Sequence, residues 1–281
     1  MSTVTPFLKW AGGKRWLVQN YPELLPSKFK RFVEPFLGGG AVFFHMRPAK
    51  ARLADLNSEL IETYSAVRDD WKAVWTKLRA HQIEHLRDPE TYYYKIRQSR
   101  LKSDFAKAAR FIYLNRSCWN GLYRVNLRGE FNVPKGTKNS ILLPDDDFPS
   151  VANRLADVEL TASDFAETLA NCGRGDFVFV DPPYTANHNW NGFLKYNERI
   201  FSWEDQLRLA ESVEGAVSRG AAVLITNAAH ASVRKLYESI GEIHTVTRYS
   251  VLASDSARRS RVEELAIIAG YQNSISQTKL L

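Results

Sequence analysis

Short apolar runs alternate with helical stripes at both ends of the chain, the pattern of a mostly parallel sheet flanked by helices. Strands are predicted at Arg31–Glu34, Arg52–Asp55, Val158–Thr161, Phe177–Asp181 and Ala222–Asn227. Two late runs, His244–Leu252 and Val262–Ala269, are joined by a polar loop and predict an antiparallel pair. Ser202 is placed to cap a helix, with Asp205 three residues on closing a capping box. Leu207, Ala210, Val213 and Val217 then mark the face that helix buries.

The middle of the chain follows another period. Leu60, Tyr64, Val67, Trp71, Val74 and Leu78 recur at spacings of four and three, the stripe of a long amphipathic helix. Asp88-Pro89 breaks it, and further helices are predicted over Glu90–Leu101 and Phe105–Leu114. After Asn115 come Leu122–Leu127 and Phe131–Pro134, flanking Arg128-Gly129-Glu130 as a hairpin with a glycine turn. A helical module with a hairpin therefore interrupts an α/β domain.

The chain has 281 residues, 44% of them hydrophobic and 25% charged, which allows one α/β domain with an inserted module. No apolar run reaches the roughly 18 residues of a membrane helix. Met1–Trp10 lacks the zones of a signal peptide. Cys118 and Cys172 fit neither a disulfide framework nor a metal spacing, so a reducing cytoplasm is expected. The net charge of +7 is unevenly spread. Residues 1–55 carry 9 basic and 3 acidic side chains, residues 56–144 carry 16 and 9, and residues 145–281 carry 13 and 19. A basic surplus confined to one half suits a polyanion partner; a solvated basic surface is the plainer reading.

Chemistry gathers at strand ends. Phe32–Gly40 runs from a strand into three consecutive glycines and an apolar helix at Ala41–Met46, letting backbone approach a ligand at the sheet edge. The spacing is not GxGxxG and no GKS follows, which weakens pyrophosphate and triphosphate binding; a tight structural turn is the other reading. Asp55 ends the next strand, where an acidic group meets ribose hydroxyls, or else caps the helix beginning near Asn57. Trp10-Ala11-Gly12-Gly13-Lys14 offers an aromatic ring and a cation for a ligand carboxylate, or an ordinary turn beside a surface lysine.

Asp181-Pro182-Pro183-Tyr184 is the sharpest of these segments. An exocyclic adenine amine is a poor nucleophile because its lone pair is delocalised into the ring. Asp181 and the Pro182 carbonyl can each accept one N6–H, with the prolines fixing both acceptors in advance. Tyr184 can stack on a base extruded from a duplex; a double-proline turn ending a strand is the other reading. Among weaker features, His81 and His85 share a helix face without a third ligand, so no metal site is expected. Asn227 either lines the pocket or caps, and Arg258, Arg259 and Arg261 either meet phosphates or keep a loop soluble.

FLKWAGGK, FVEPFLGGGAVFF, LADLNSELI, YLNRSCWNGLYRVNLRGEFNVP and DPPY follow one another along the chain. In that order they resemble the motifs of Dam-type (D12 class, alpha group) DNA adenine-N6 methyltransferases, a resemblance running from about Phe7 to Tyr271. The resemblance implies a Rossmann-like seven-stranded methyltransferase sheet with an inserted helical target-recognition module carrying a β-hairpin. Residues 1–55 and 145–281 would form the domain that binds S-adenosylmethionine, and residues 56–144 the DNA-recognition domain. Matching motif positions, Trp10, Ala11, Gly12, Lys14, Glu34, Phe36, Gly38, Gly40, Asp55 and Asp181 are expected around the cofactor, with Asp164 and Phe165 at its adenine. Asp181, Pro182 and Tyr184 are expected to be catalytic.

The resemblance also implies double-stranded DNA as partner, a GATC-like site, base flipping and direct displacement by a monomer, with no metal. Lys9, Leu122, Arg124 and Pro134 fall at the base-contacting positions, and Arg124 suits a guanine edge. Trp119 and Asn120 fall where a group fills the gap left by the flipped adenine, and Asn126, Arg128 and Asn132 complete the DNA-facing hairpin. One departure is that Thr137 and Lys138 stand where the family offers an aromatic to a thymine methyl. A bacterial nucleoid or a phage-infected cell is the setting it implies, as an orphan regulator or in restriction–modification. Two other classes compete. An RNA or protein-glutamine methyltransferase is opposed by Asp rather than Asn at position 181 and by the basic insert. A DNA-binding protein that has lost catalysis is opposed by the intact Lys14, Asp55 and Asp181.

Overall fold

The structure, a computed structural model, describes residues 4–126, 128–185, 201–249 and 261–272. Its strands are β1 (Arg31–Glu34), β2 (Ala51–Asp55), β3 (Val158–Ala162), β4 (Asp176–Val180), β5 (Ala222–Ala228), β6 (Glu242–Tyr249) and β7 (Arg261–Ala269). They form one sheet in the order β3-β2-β1-β4-β5-β7-β6. β1 lies parallel to β2 and β4, and β4 to β5, while β7 runs antiparallel between β5 and β6. This is a Rossmann-like α/β fold with the expected seven strands. The central strand β4 is buried at every position, which is why it reads as a continuous apolar run rather than an alternating one.

The chain divides into two compact units. The one comprising residues 16–36, 48–56 and 163–281 holds most of the sheet, with helices α7 (Phe165–Ala170), α8 (Trp203–Ser218) and α9 (Ala231–Tyr237). Its core joins Val33, Val178, Val180, Val223, Ile225 and Ile267 to Leu169, Leu209 and Val213. The capping box forms: the Ser202 hydroxyl accepts the Asp205 N–H at 3.1 Å, and Asp205 accepts the Ser202 N–H at 2.9 Å. The face behind it is rotated from the expected one. Gln206, Leu209, Ala210, Val213 and Ala216 are buried, whereas Leu207 is 41% exposed. A buried glutamine hides the true phase from a purely apolar pattern.

The other unit comprises residues 1–15, 37–47 and 57–162. It holds α2 (Ala41–Met46), α3 (Ser58–Arg87), α4 (Pro89–Gln98), α5 (Asp104–Ser117) and α6 (Phe148–Leu155). α3 packs chiefly on α5, burying Leu60, Tyr64, Val67, Val74 and Leu78. Its stripe breaks locally at Asp70, whose φ of −151° is not helical, and Trp71 beside it is only half-buried. α4 and α5 end away from the expected bounds because Ser99 leaves the helical region and Cys118 closes α5. Among the described residues the predicted hairpin forms as a short antiparallel pairing: the Asn126 N–H donates to the Glu130 carbonyl at 2.9 Å and the Asn132 N–H to the Arg124 carbonyl at 3.1 Å, with Gly129 at φ +75° in the turn. Isolated bridges pair Val125 with Phe131 and Cys118 with Lys135, and Asn126 Oδ1 accepts the Arg128 and Glu130 N–H groups, each at 2.9 Å. Leu127 of that segment, residues 250–252 of the predicted strand, and Arg258 and Arg259 lie outside the described residues.

Candidate functional site

The sheet unit presents its chemistry where strands end. β4 delivers Asp181, and the parallel register Val180↔Ile225 sets the following residue, Thr226 of β5, beside it. The Thr226 hydroxyl donates to Asp181 Oδ1 at 2.7 Å. Pro182 is buried, so the turn that follows is fixed both by its ring and by packing. The Tyr184 hydroxyl donates to Glu264 Oε2 at 2.6 Å, and Arg248 Nε donates to the other oxygen of that carboxylate. Glu264 is 2% exposed, a buried charge with hydrogen-bonding partners on both oxygens. Burial, then the charges of Asp181 and Glu264, hold the Tyr184 phenol well above its usual range, so it stays neutral.

A second cluster joins Asp164, Phe165 and Phe36. Asp164 caps α7 by accepting the Ala166 N–H at 2.8 Å and takes both Arg208 Nη atoms, at 2.7 and 3.0 Å. Desolvation raises the Asp164 carboxyl, but Arg208 and the cap outweigh it and hold it below the usual range. The Arg208 guanidinium lies 4.2 Å from the Phe165 ring centroid, and Phe165 stacks on Phe36 at 5.5 Å. Asp55 ends β2, where its carbonyl accepts the Ser163 N–H at 3.2 Å. The N-cap of α3 is Asn57, which accepts the Leu60 N–H at 3.2 Å. Glu34, at the end of β1, is 3% exposed.

In the helical unit, Trp10 lies against Gly38, where an added Cβ would come within 2.6 Å of the indole. Gly38 and Gly40 have φ of +47° and +64°, a region that favours glycine, and at Gly38 the indole also leaves no room for a Cβ. The Tyr64 hydroxyl donates to the Gly38 carbonyl at 3.1 Å and steadies the loop. Lys14 is 3% exposed and donates to the Gly12 carbonyl at 2.6 Å; Ala11 and Gly12 are exposed. Trp10 stacks on Tyr123 at 6.0 Å, and Tyr123 donates to Glu59 at 3.0 Å.

The same unit assembles the DNA-recognition candidates. Asn115 accepts the Lys9 N–H at 2.9 Å and donates to the carbonyls of Lys9 at 2.6 Å and Gly121 at 3.4 Å. One buried amide thus joins the N-terminal loop to the segment that carries Trp119, Asn120 and Leu122. Trp119 is 54% exposed, and Asn120 has a left-handed φ of 55°. Arg124 Nε donates to Asn132 Oδ1 at 2.8 Å, which orients the guanidinium. Pro134 and Arg128 are exposed, and the Pro134 carbonyl accepts the Trp119 N–H at 3.0 Å.

His81 and His85 each meet a tyrosine hydroxyl at 2.8 Å, Tyr92 and Tyr113 respectively. Two expectations change. Asn227 neither lines a pocket nor caps; it is fully buried and exchanges amide hydrogen bonds with Gln206. Arg261 opens β7 as an exposed residue. Thr226, Glu264 and Arg248 are not singled out by the sequence: only adjacency to Asn227 points at Thr226, and the other two lie in ordinary strand patterns. Asn115 stands within the YLNRSCWNG motif without a role being assigned to it.

Residues 10–251 match the model of the D12 class N6 adenine-specific DNA methyltransferases. The chain is 35% identical over 277 residues to a type II methyltransferase of Lactococcus lactis subsp. cremoris, covering 95% of this chain and 96% of that one. It is 33% identical over 285 residues to a type II methyltransferase of Methanocaldococcus jannaschii, covering 94% and 99%. A DNA adenine methylase of Escherichia coli (strain K12) is 36% identical over 265 residues, covering 92% and 93%.

Proposed function

Because the chain belongs to the D12 class of N6 adenine-specific DNA methyltransferases, we propose that it methylates adenine N6 at GATC or a closely related site. The single observation that carries this reading is Asp181 at the end of a fully buried strand, held by Thr226 and followed by two prolines and Tyr184. S-adenosylmethionine supplies an electrophilic methyl group. The residues present suit that donor: Lys14 is a buried cation for its carboxylate, Asp55 an acceptor for ribose hydroxyls, and Asp164 an acceptor for its adenine beside Phe36, whose ring is backed by the buried Phe165.

The target adenine is turned out of the duplex, and Trp119 with Asn120 occupies the space it leaves. Tyr184 stacks on the extruded base. Asp181 and the Pro182 carbonyl would each accept an N6–H, drawing that nitrogen toward a tetrahedral shape, so that its lone pair would take the methyl group as the S–CH3 bond breaks, the cofactor leaving as a neutral thioether and one N6 proton passing to solvent. No nucleophilic side chain is required, and burial holds the Cys118 thiol up at about 12, where it is unreactive. Residues 56–144 serve recognition, with Lys9 and Arg124 reading bases. The cofactor-binding catalytic domain is then residues 1–55 and 145–281. The protein acts on double-stranded DNA as a monomer in the cytoplasm.

The test is a labelled-methyl transfer assay on duplex DNA, with N6-methyladenine mapped at single-base resolution. Asp181→Ala is expected to abolish transfer while binding of a non-reactive cofactor analogue and of DNA largely survives. Undiminished transfer would overturn the mechanism, and methylation scattered without a shared site would overturn the recognition reading.

A further inference from the structure

We propose that Thr226 is a positioning residue for the transfer step, fixing the Asp181 carboxylate so that it faces the amine; this rests on the catalytic role proposed for Asp181. The geometry is specific. The hydroxyl donates to Oδ1 at 2.7 Å, and Thr226 is 0% exposed on β5. Its backbone is locked on both sides. β5 pairs with β4 up to Val180↔Ile225, the step before Asp181, and with β7 at Thr226↔Ala266. A β-branched side chain in a strand has few rotamers, so the donor has little freedom of its own.

The strand itself does not need this hydroxyl. Its neighbours Val223, Leu224 and Ile225 are fully buried apolar residues, and a valine would serve packing equally. A buried hydroxyl without a partner is costly, so its presence is explained by the acceptor it finds. An unrestrained aspartate turns about two side-chain bonds. Held through one oxygen, its plane is set before substrate arrives, and little reorganisation remains for the reaction. Tyr184 is held by Glu264, whose other oxygen meets Arg248, and the Thr226 hydroxyl is among its hydrogen-bonding partners as well. β5 thus holds the carboxylate and, together with β6 and β7, the ring.

The experiment compares wild type with Thr226→Val, Thr226→Ala, Thr226→Ser and Asp181→Ala. It measures kcat, KM for duplex DNA, affinity for sinefungin and thermal midpoint. Loss of a hydrogen bond to a charged group predicts a kcat lower by about tenfold or more for Val, with KM and sinefungin affinity within about twofold. Ser, which keeps the donor, is expected to recover most of the rate; Ala is judged as Val is, should Val not fold. Full turnover by the Val or Ala variant while Asp181→Ala is dead overturns the positioning role alone. So does a rate loss that follows the thermal midpoint and that Ser does not restore. Activity in Asp181→Ala instead overturns the mechanism on which the inference stands.

Discussion

Arg124 shows how a single side chain is prepared for the base-reading role proposed for it. Asn132 takes its Nε at 2.8 Å and, through the backbone carbonyl, its Nη2 at 3.4 Å, so the guanidinium is already oriented in the absence of DNA. A planar fork presented this way matches the two acceptors of a guanine edge, which a lysine cannot reproduce. Arg124→Ala is therefore expected to lose about 1–3 kcal/mol of discrimination at one base of the site. Methylation rates on a panel of single-base site variants measure this, and an unchanged ranking removes Arg124 from base reading. Arg124 is visible in the sequence as a cation in a family motif. Its Asn132 partner, eight residues on, becomes meaningful only once the chain has turned back on itself.

At the scale of elements, the last turn of α5 organises the helical unit. Asn115 holds Lys9 and Gly121, and the next residue, Arg116, is fully buried. Arg116 donates to both Asp146 oxygens at 2.6 and 2.7 Å and to the carbonyls of Phe7 and Ile141. The guanidinium is thus surrounded by acceptors, the condition under which a buried ion pair is tolerable. Arg116→Met leaves Asp146 charged and enclosed, and is expected to cost about 3–5 kcal/mol in urea unfolding. Arg116→Met with Asp146→Leu should return part of that, and no recovery would mean that the carbonyl bonds dominate. α5 is legible as a helix, yet its stripe gives no sign that its last turn carries three consecutive buried polar residues, Asn115, Arg116 and Ser117. For the same reason the sequence locates α8 correctly but misreads its face: Gln206 and Asn227 bury a polar pair that hydropathy treats as surface.

At the scale of the molecule, histidine titration sets a pH dependence. Burial, then the charges of Lys77 and Arg110, lowers His81 to about 4, and burial likewise lowers His85 and His45. These imidazoles are neutral in the folded protein and take up a proton more readily once unfolded. The unfolded chain thus binds more protons between about pH 6.5 and 4, so stability is full above that window and falls on acidification through it. His81 alone contributes up to about 3 kcal/mol of that fall. Asp164 and Asp205, held below the usual carboxylate range, add their loss at lower pH. Unfolding by urea at pH 7 and pH 5 tests this: His81→Gln should flatten the difference, and an unaltered slope would discard the assignment.

The sequence by itself determined the fold class, most strand positions, the α8 cap and the place of Asp181-Pro182-Pro183-Tyr184 at a strand end, because each rests on local chemistry. Strand period, proline geometry, glycine freedom and a serine cap are properties of a few adjacent residues. Tertiary structure decided what holds those features in place. Thr226 meets Asp181 across 45 positions, Tyr184 meets Glu264 across 80, and Asn115 meets Lys9 across 106. A hydrogen bond depends on a separation of about 3 Å and an angle, not on spacing along the chain, so these partners exist only once the strands are in register.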